Sequence, residues 1–97
     1  MSDSKGSQNG FVRDFVIQNQ YGIHARPAAL FVKIAGRYDA EIEVEKDGNR
    51  VSGKSIMGLM TLEASKGCTL RVSASGPEAE EALDELETLV VNKFDED

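Results

Sequence analysis

Residues 41–53, EIEVEKDGNRVSG, carry the plainest structural signal in the chain. Glu41 to Glu45 alternate acidic and apolar side chains, which puts Ile42 and Val44 on one side of a strand. Asp47-Gly48 then supplies two residues tolerant of the positive φ that a tight hairpin turn demands. The return strand is expected over about Arg50 to Gly53, antiparallel to the first.

Elements follow in both directions from this hairpin. Upstream, ARPAALFVKIAGRY fits a helix, with Arg26 and Pro27 in its first turn, where proline costs little, and Gly36 near its end. FVRDFVI, residues 11–17, is β-branched and aromatic and stops at a QNQYG turn, so it reads as a strand. MSDSKGSQNG, residues 1–10, reads as a disordered polar leader. Downstream, SIMGLMTLEASKG reads as a short helix with Ser55 at its cap and Gly67 beyond its end. TLRVSAS, residues 69–75, alternates as a strand, and a final helix is expected with Pro77 at its first position. Ala79, Ala82, Leu83, Leu86, Leu89, Val90 and Phe94 supply its helical apolar stripe. The order β-α-β-β-α-β-α implies an α+β, two-layer open-faced sandwich, three helices on one face of a mostly antiparallel sheet. A single domain is expected over residues 11–94, between the leader and an acidic tail at 95–97.

At 97 residues the chain makes one small core. Its single cysteine, Cys68, excludes an internal disulfide and any CxxC site, which fits a cytoplasmic setting. No apolar run approaches the ~20 residues of a membrane span, and no signal peptide opens the chain. The net charge of −6 argues against a nucleic-acid partner. Its distribution is uneven: Gly76 to Asp97 carry nine acids and one lysine, whereas Gly22 to Arg37 hold Arg26, Lys33, Arg37 and no acid.

The chain's only histidine, His24, lies in that acid-free stretch, within GIHARPAA, residues 22–29. A helix start has N–H groups without intrahelical partners and a partial positive charge, so it suits an anion, phosphate above all. Gly22 permits a tight turn just before, and the Arg26 fork matches phosphate oxygens. A neutral imidazole there can attack a phosphoryl group and hand it on. The alternative is that His24 simply caps the helix. A lone histidine supplies neither a catalytic triad nor a metal set, and no cofactor motif is present.

Two further features bear on partners. Ala28, Phe31, Val32 and Ala35 form one helical stripe, and Leu30 and Ile34 a second. The second stripe is expected to stay exposed beside His24 as a docking patch, with core filling as the alternative. Ser55 reads first as a structural cap, yet phosphorylation there would set about two negative charges beside Ile56 and Met57. Ile56, Met57 and Met60 are either core or an adaptable contact surface.

GIHARPAA, KSIMGLMTL and SKGCTLRVSASG, in this order and spacing, resemble the HPr family, the histidine phosphocarriers of the bacterial phosphoenolpyruvate-dependent phosphotransferase system. The resemblance covers about residues 11–92 and implies a four-stranded antiparallel sheet with three helices on one side. It implies that His24 accepts a phosphoryl group from phospho-enzyme I, through Nδ1, and passes it to IIA domains, with Arg26 pairing with the phosphate. Such a protein is a covalent carrier rather than an enzyme, works as a cytoplasmic monomer, and needs no cofactor or metal. Ser55 matches the serine that an HPr kinase/phosphorylase modifies in many members, with a transcriptional regulator as reader. Pro27, Leu30, Ile34, Ile56, Met57 and Met60 would form the docking surface. Tyr21, the long leader and the KFDED ending depart from sugar-pathway members, the ending being similar to that of the nitrogen-related paralogue. The sugar and nitrogen branches therefore both stay open, as does a regulatory module acting mainly through partner binding. The family's catabolite-repression paralogue, which lacks the histidine, is excluded by His24.

Overall fold

The computed structural model describes residues 10–96. Strand β1, Gly10–Val16, turns Phe15 inward and leaves Val12, Asp14 and Val16 in solvent, the two-residue alternation of a half-buried strand. Helix α1 spans Ala25–Ala35, and the hairpin follows as β2, Glu41–Lys46, and β3, Asn49–Ser52. Asp47 and Gly48 take φ of 53° and 85°, as the dipeptide led us to expect. Helix α2 is Ile56–Thr61, β4 is Thr69–Ser75 and helix α3 is Ala79–Val91, after which a 3-10 turn covers Lys93–Asp95.

The four strands make one sheet in the order β1-β4-β2-β3, every adjacent pair antiparallel. In this register Phe15 opposes Leu70, and Val44 opposes both Val72 of β4 and Val51 of β3. These side chains therefore share the face that the helices cover. Ala28 and Ala35 of α1 and Ala82 of α3 are fully buried, small enough to let each helix lie close on the sheet. The opposite sheet face is open to solvent, and the fold is the expected open-faced α+β sandwich. Among the described residues no helix is long and apolar enough to cross a membrane.

Element boundaries depart from the sequence reading where backbone contacts intervene. Helix α2 stops at Thr61 instead of running toward Gly67, because Glu63 adopts a φ of 52° and the chain leaves in a turn. Helix α3 begins at Ala79, not Pro77: Pro77 and Glu78 belong to a brace in which the Glu78 N–H donates to Asp39 O at 3.1 Å and the Asp39 N–H donates to Glu78 Oε1 at 2.6 Å. Gly10, assigned to the leader, is already in β1, while the rest of the leader and Asp97 lie outside the described residues. Of the acidic tail, Asp95 closes the 3-10 turn and Glu96 follows it, directly after the fully buried Phe94.

The backbone leading to α1 is tied to the segment leaving α2. Ile17 N–H donates to Cys68 O at 2.9 Å, Gly67 N–H to Ile17 O at 2.8 Å, and Ile23 N–H to Ala64 O at 2.9 Å. Gly22, at φ +68°, lies so close that a Cβ would sit 2.2 Å from Ala64 O. Gly22→Ala is therefore expected to lose more than about 1 kcal/mol beyond Gly48→Ala, whose φ is also positive but which faces open space. Urea denaturation of the two variants checks this, and equal losses would contradict it. Ser55→Ala, which removes the Oγ that accepts the Gly58 N–H at 2.9 Å, should cost about 1 kcal/mol by the same measurement.

Candidate functional site

His24 enters α1 as its N-cap, in extended conformation at φ −96° and ψ −164°. Its carbonyl accepts the Ala28 N–H at 3.0 Å, but its side chain makes no capping hydrogen bond. The ring is thus not engaged in helix capping. Ala25, Arg26 and Pro27 form the first turn, which contains no acid, and the Arg26 side chain is exposed. The N–H groups of Ala25 and Arg26 precede the first ladder bond, the position in which an anion is favoured.

The imidazole is asymmetric in its surroundings. Its side chain is 42% exposed, yet Nε2 is shielded from solvent and lies 3.1 Å from Glu96 Oε2. The N–H direction is not in line with that oxygen, so the contact is electrostatic more than a linear hydrogen bond. Among the described residues, Nε2 and not Nδ1 is the ring nitrogen that is buried without a hydrogen-bond partner. Glu96 Oε1 accepts from Asn19 Nδ2 at 3.1 Å, and the same Nδ2 donates to Gly22 O at 2.8 Å. Asn19, fully buried, so connects the turn before His24 to the carboxylate behind its ring. The exposed Tyr21 meets the imidazole edge-on, with ring centroids 6.5 Å apart.

Glu96 is brought there at a conformational cost. Lys93, Phe94 and Asp95 adopt φ of 57°, 55° and 60°. A left-handed backbone costs a non-glycine residue roughly 1–2 kcal/mol, and burial of Phe94 helps to hold the turn.

Neither Asn19 nor Glu96 stands out in the sequence, where one reads as a turn residue and the other as part of an acidic run. The signal that could have marked Glu96 is Phe94, an apolar residue in register with the α3 stripe, which ties the following residues to the core.

The second predicted site is at the start of α2. Ser55 is the N-cap of α2 and half-buried, and its hydroxyl is committed to the Gly58 N–H. Ile56, Met57 and Met60 are exposed, Met57 by 74%. Ala64, beyond the other end of α2, is what touches the His24 loop. Ile34, expected on the surface, is buried at 8% exposure, and Leu30 is half-buried. Helix α1 packs against both α2 and α3, and its buried arc is wider than one stripe. Pro27 is fully buried too, which withdraws it and Ile34 from a docking surface. Among the described residues, no group of three or more His, Cys, Asp or Glu could hold a metal ion.

Two neighbouring groups are perturbed. The hydrogen bond to Glu85 raises the Tyr38 phenol above its ordinary value and ties the end of α1 to α3. The Ser65 side chain, 3.5 Å from Cys68 Sγ, lowers that thiol.

Comparison with known proteins supplies the family. The family model described as "PTS HPr component phosphorylation site" matches residues 11–92. The phosphocarrier protein HPr of Treponema pallidum is 43% identical over 86 residues, covering 89% of this chain and 98% of the relative. The HPr-like protein Crh of Bacillus subtilis is 48% identical over 69 residues, covering 71% of this chain and 81% of that protein. A solved HPr from Thermoanaerobacter tengcongensis superposes with a TM-score of 0.86 at 45% identity, over 90% of this chain and 98% of its own. The open sheet, the helix-start histidine and these matches agree: the chain belongs to the HPr family, the phosphocarrier proteins of the phosphotransferase system.

Proposed function

We propose that the chain accepts a phosphoryl group on His24 from phosphorylated enzyme I and delivers it to IIA domains. The observation that carries this reading is the ring itself, with Nε2 turned inward against Glu96 while the side chain stays 42% exposed at the start of α1. Nδ1 is then the nucleophile. Arg26 and the free N–H groups of the first turn face the oxygens of the incoming group, where their charge offsets that of phosphate. The His24 backbone is held by the Gly22–Ala64 crossing, so approach of the donor needs little rearrangement of the acceptor. Phosphate is not turned over at the site but passed on, which makes the protein a carrier with a covalent intermediate. On this reading it works as a cytoplasmic monomer and uses neither cofactor nor metal.

A regulatory role for Ser55 is favoured by a separate observation. Ile56, Met57 and Met60 lie exposed immediately after it, an apolar surface suited to docking. A phosphate on Ser55, added by an HPr kinase/phosphorylase, would place about two negative charges beside that surface. Enzyme I would then dock less well, and a transcriptional regulator with a basic site would dock better. The chemistry of His24 is common to the sugar and nitrogen branches, so it does not choose between them.

Incubation with phosphoenolpyruvate and enzyme I should yield an acid-labile phosphate that His24→Ala abolishes. No incorporation into the unsubstituted chain would overturn the reading. Arg26→Ala should still accept phosphate, but roughly 10- to 100-fold more slowly, the loss of one charged hydrogen-bonding partner. Ser55→Asp should raise the KM for enzyme I without lowering the thermal midpoint. An unchanged KM, together with no kinase labelling of Ser55, removes the regulatory role.

A further inference from the structure

We propose that Glu96 is a positioning residue for His24, its carboxylate deciding which ring nitrogen keeps the proton and offsetting the charge that the ring gains on phosphorylation. The inference rests on the phosphocarrier reading above and deepens it.

Glu96 has the placement of a built contact. In an otherwise acidic and solvated segment, its side chain is only 16% exposed, with Oε2 3.1 Å from His24 Nε2 and Oε1 3.1 Å from Asn19 Nδ2. Asn19 is itself fully buried and bonded to Gly22 O, so the carboxylate is oriented from the same turn that presents His24. The chain reaches this position through three consecutive non-glycine residues at positive φ. Such a run persists only where its surroundings hold it, here the buried Phe94.

A carboxylate at 3.1 Å repels a lone pair at Nε2 and favours an N–H there. The lone pair is thereby assigned to Nδ1. In the transfer, this lone pair forms the new P–N bond while the bond between phosphorus and the donor atom breaks, and the electron pair of that bond returns to the donor atom. No proton leaves His24. The accepting ring, neutral before, keeps Nε2–H and gains one positive charge beside the phosphoryl group. Glu96 faces the nitrogen that shares this charge, and an electrostatic contact of this kind does not depend on a linear N–H direction.

The test uses the full chain and the variants Glu96→Ala and Glu96→Gln, with Glu80→Gln on the exposed surface of α3 as control. In the unphosphorylated protein at alkaline pH, ring 15N shifts should report an excess of the Nε2–H tautomer. Glu96→Ala should reduce that excess about fivefold, the loss of one close charge contact near the surface, with Glu96→Gln between the two. With phosphorylated enzyme I as donor, kcat should fall about fivefold in Glu96→Ala while KM stays constant, since the residue touches the acceptor and not the donor. A tautomer ratio in Glu96→Ala equal to that of the unsubstituted chain overturns the proposal, and so does a changed ratio with kcat unaltered. If the unsubstituted chain takes no phosphate, the phosphocarrier reading fails, whereas the tautomer measurement still decides what Glu96 does to the ring.

Discussion

The crossing of Gly22 over Ala64 is the constraint on which the rest of the site depends. Two backbones approach until a single Cβ would meet a carbonyl oxygen at 2.2 Å, and the Ile23 N–H closes the contact at 2.9 Å. Glycine alone fits there with its φ of +68°. Because the Ala64 segment also leaves α2, one contact sets the position of α1 relative to α2 and the entry angle of His24 together. Core packing beneath, with alanines of α1 and α3 against the sheet, then holds the arrangement.

This division gives the histidine a rigid backbone and an accessible ring. A carrier has to present one atom to successive partners without offering a deep pocket, and a helix start on a small domain does so. The positive end of α1, Arg26 and the absence of acid from the first turn make one side of the ring favourable to phosphate. Glu96 and Asn19 supply the opposite side, where a negative charge meets Nε2. The two sides are complementary, anion-favouring in front and cation-favouring behind.

The strong negative charge of the last segment has a structural distribution as well. Asp84 and Glu87 of α3 hold Arg13 of β1 at 2.8 and 2.9 Å, and Glu85 holds Arg37 at 2.7 Å and the Tyr38 hydroxyl. The acids of α3 thus brace β1 and the end of α1, while Glu96 continues the same helix's charge toward His24. Exposed pairs of this kind contribute little stability each, so their main effect is on where the elements sit.

Much of the fold was legible from local pattern. Alternation in β1, β2 and β4, the Asp47-Gly48 turn and the stripe of α3 each encode an element within a few residues, and each is present. The placement of His24 and Arg26 at a helix start was legible too, because it is a local arrangement. What local pattern could not supply was the identity of the covering surface. Periodicity shows that Ile34 is apolar, not that α2 and α3 bury the flanks of α1, so the exposed docking stripe was misjudged. The start of α3 was misplaced for a related reason, since the brace between Glu78 and Asp39 joins residues 39 positions apart. Asn19 and Glu96 are 77 positions apart, and a polar contact over that distance leaves no periodic trace. By itself the sequence determined the elements and the family and singled out His24 as the candidate nucleophile, all through short-range chemistry. Only the tertiary structure decided what stands behind the His24 ring, because the Glu96 carboxylate against Nε2 is brought back from the far end of the chain, beyond the reach of any short-range pattern.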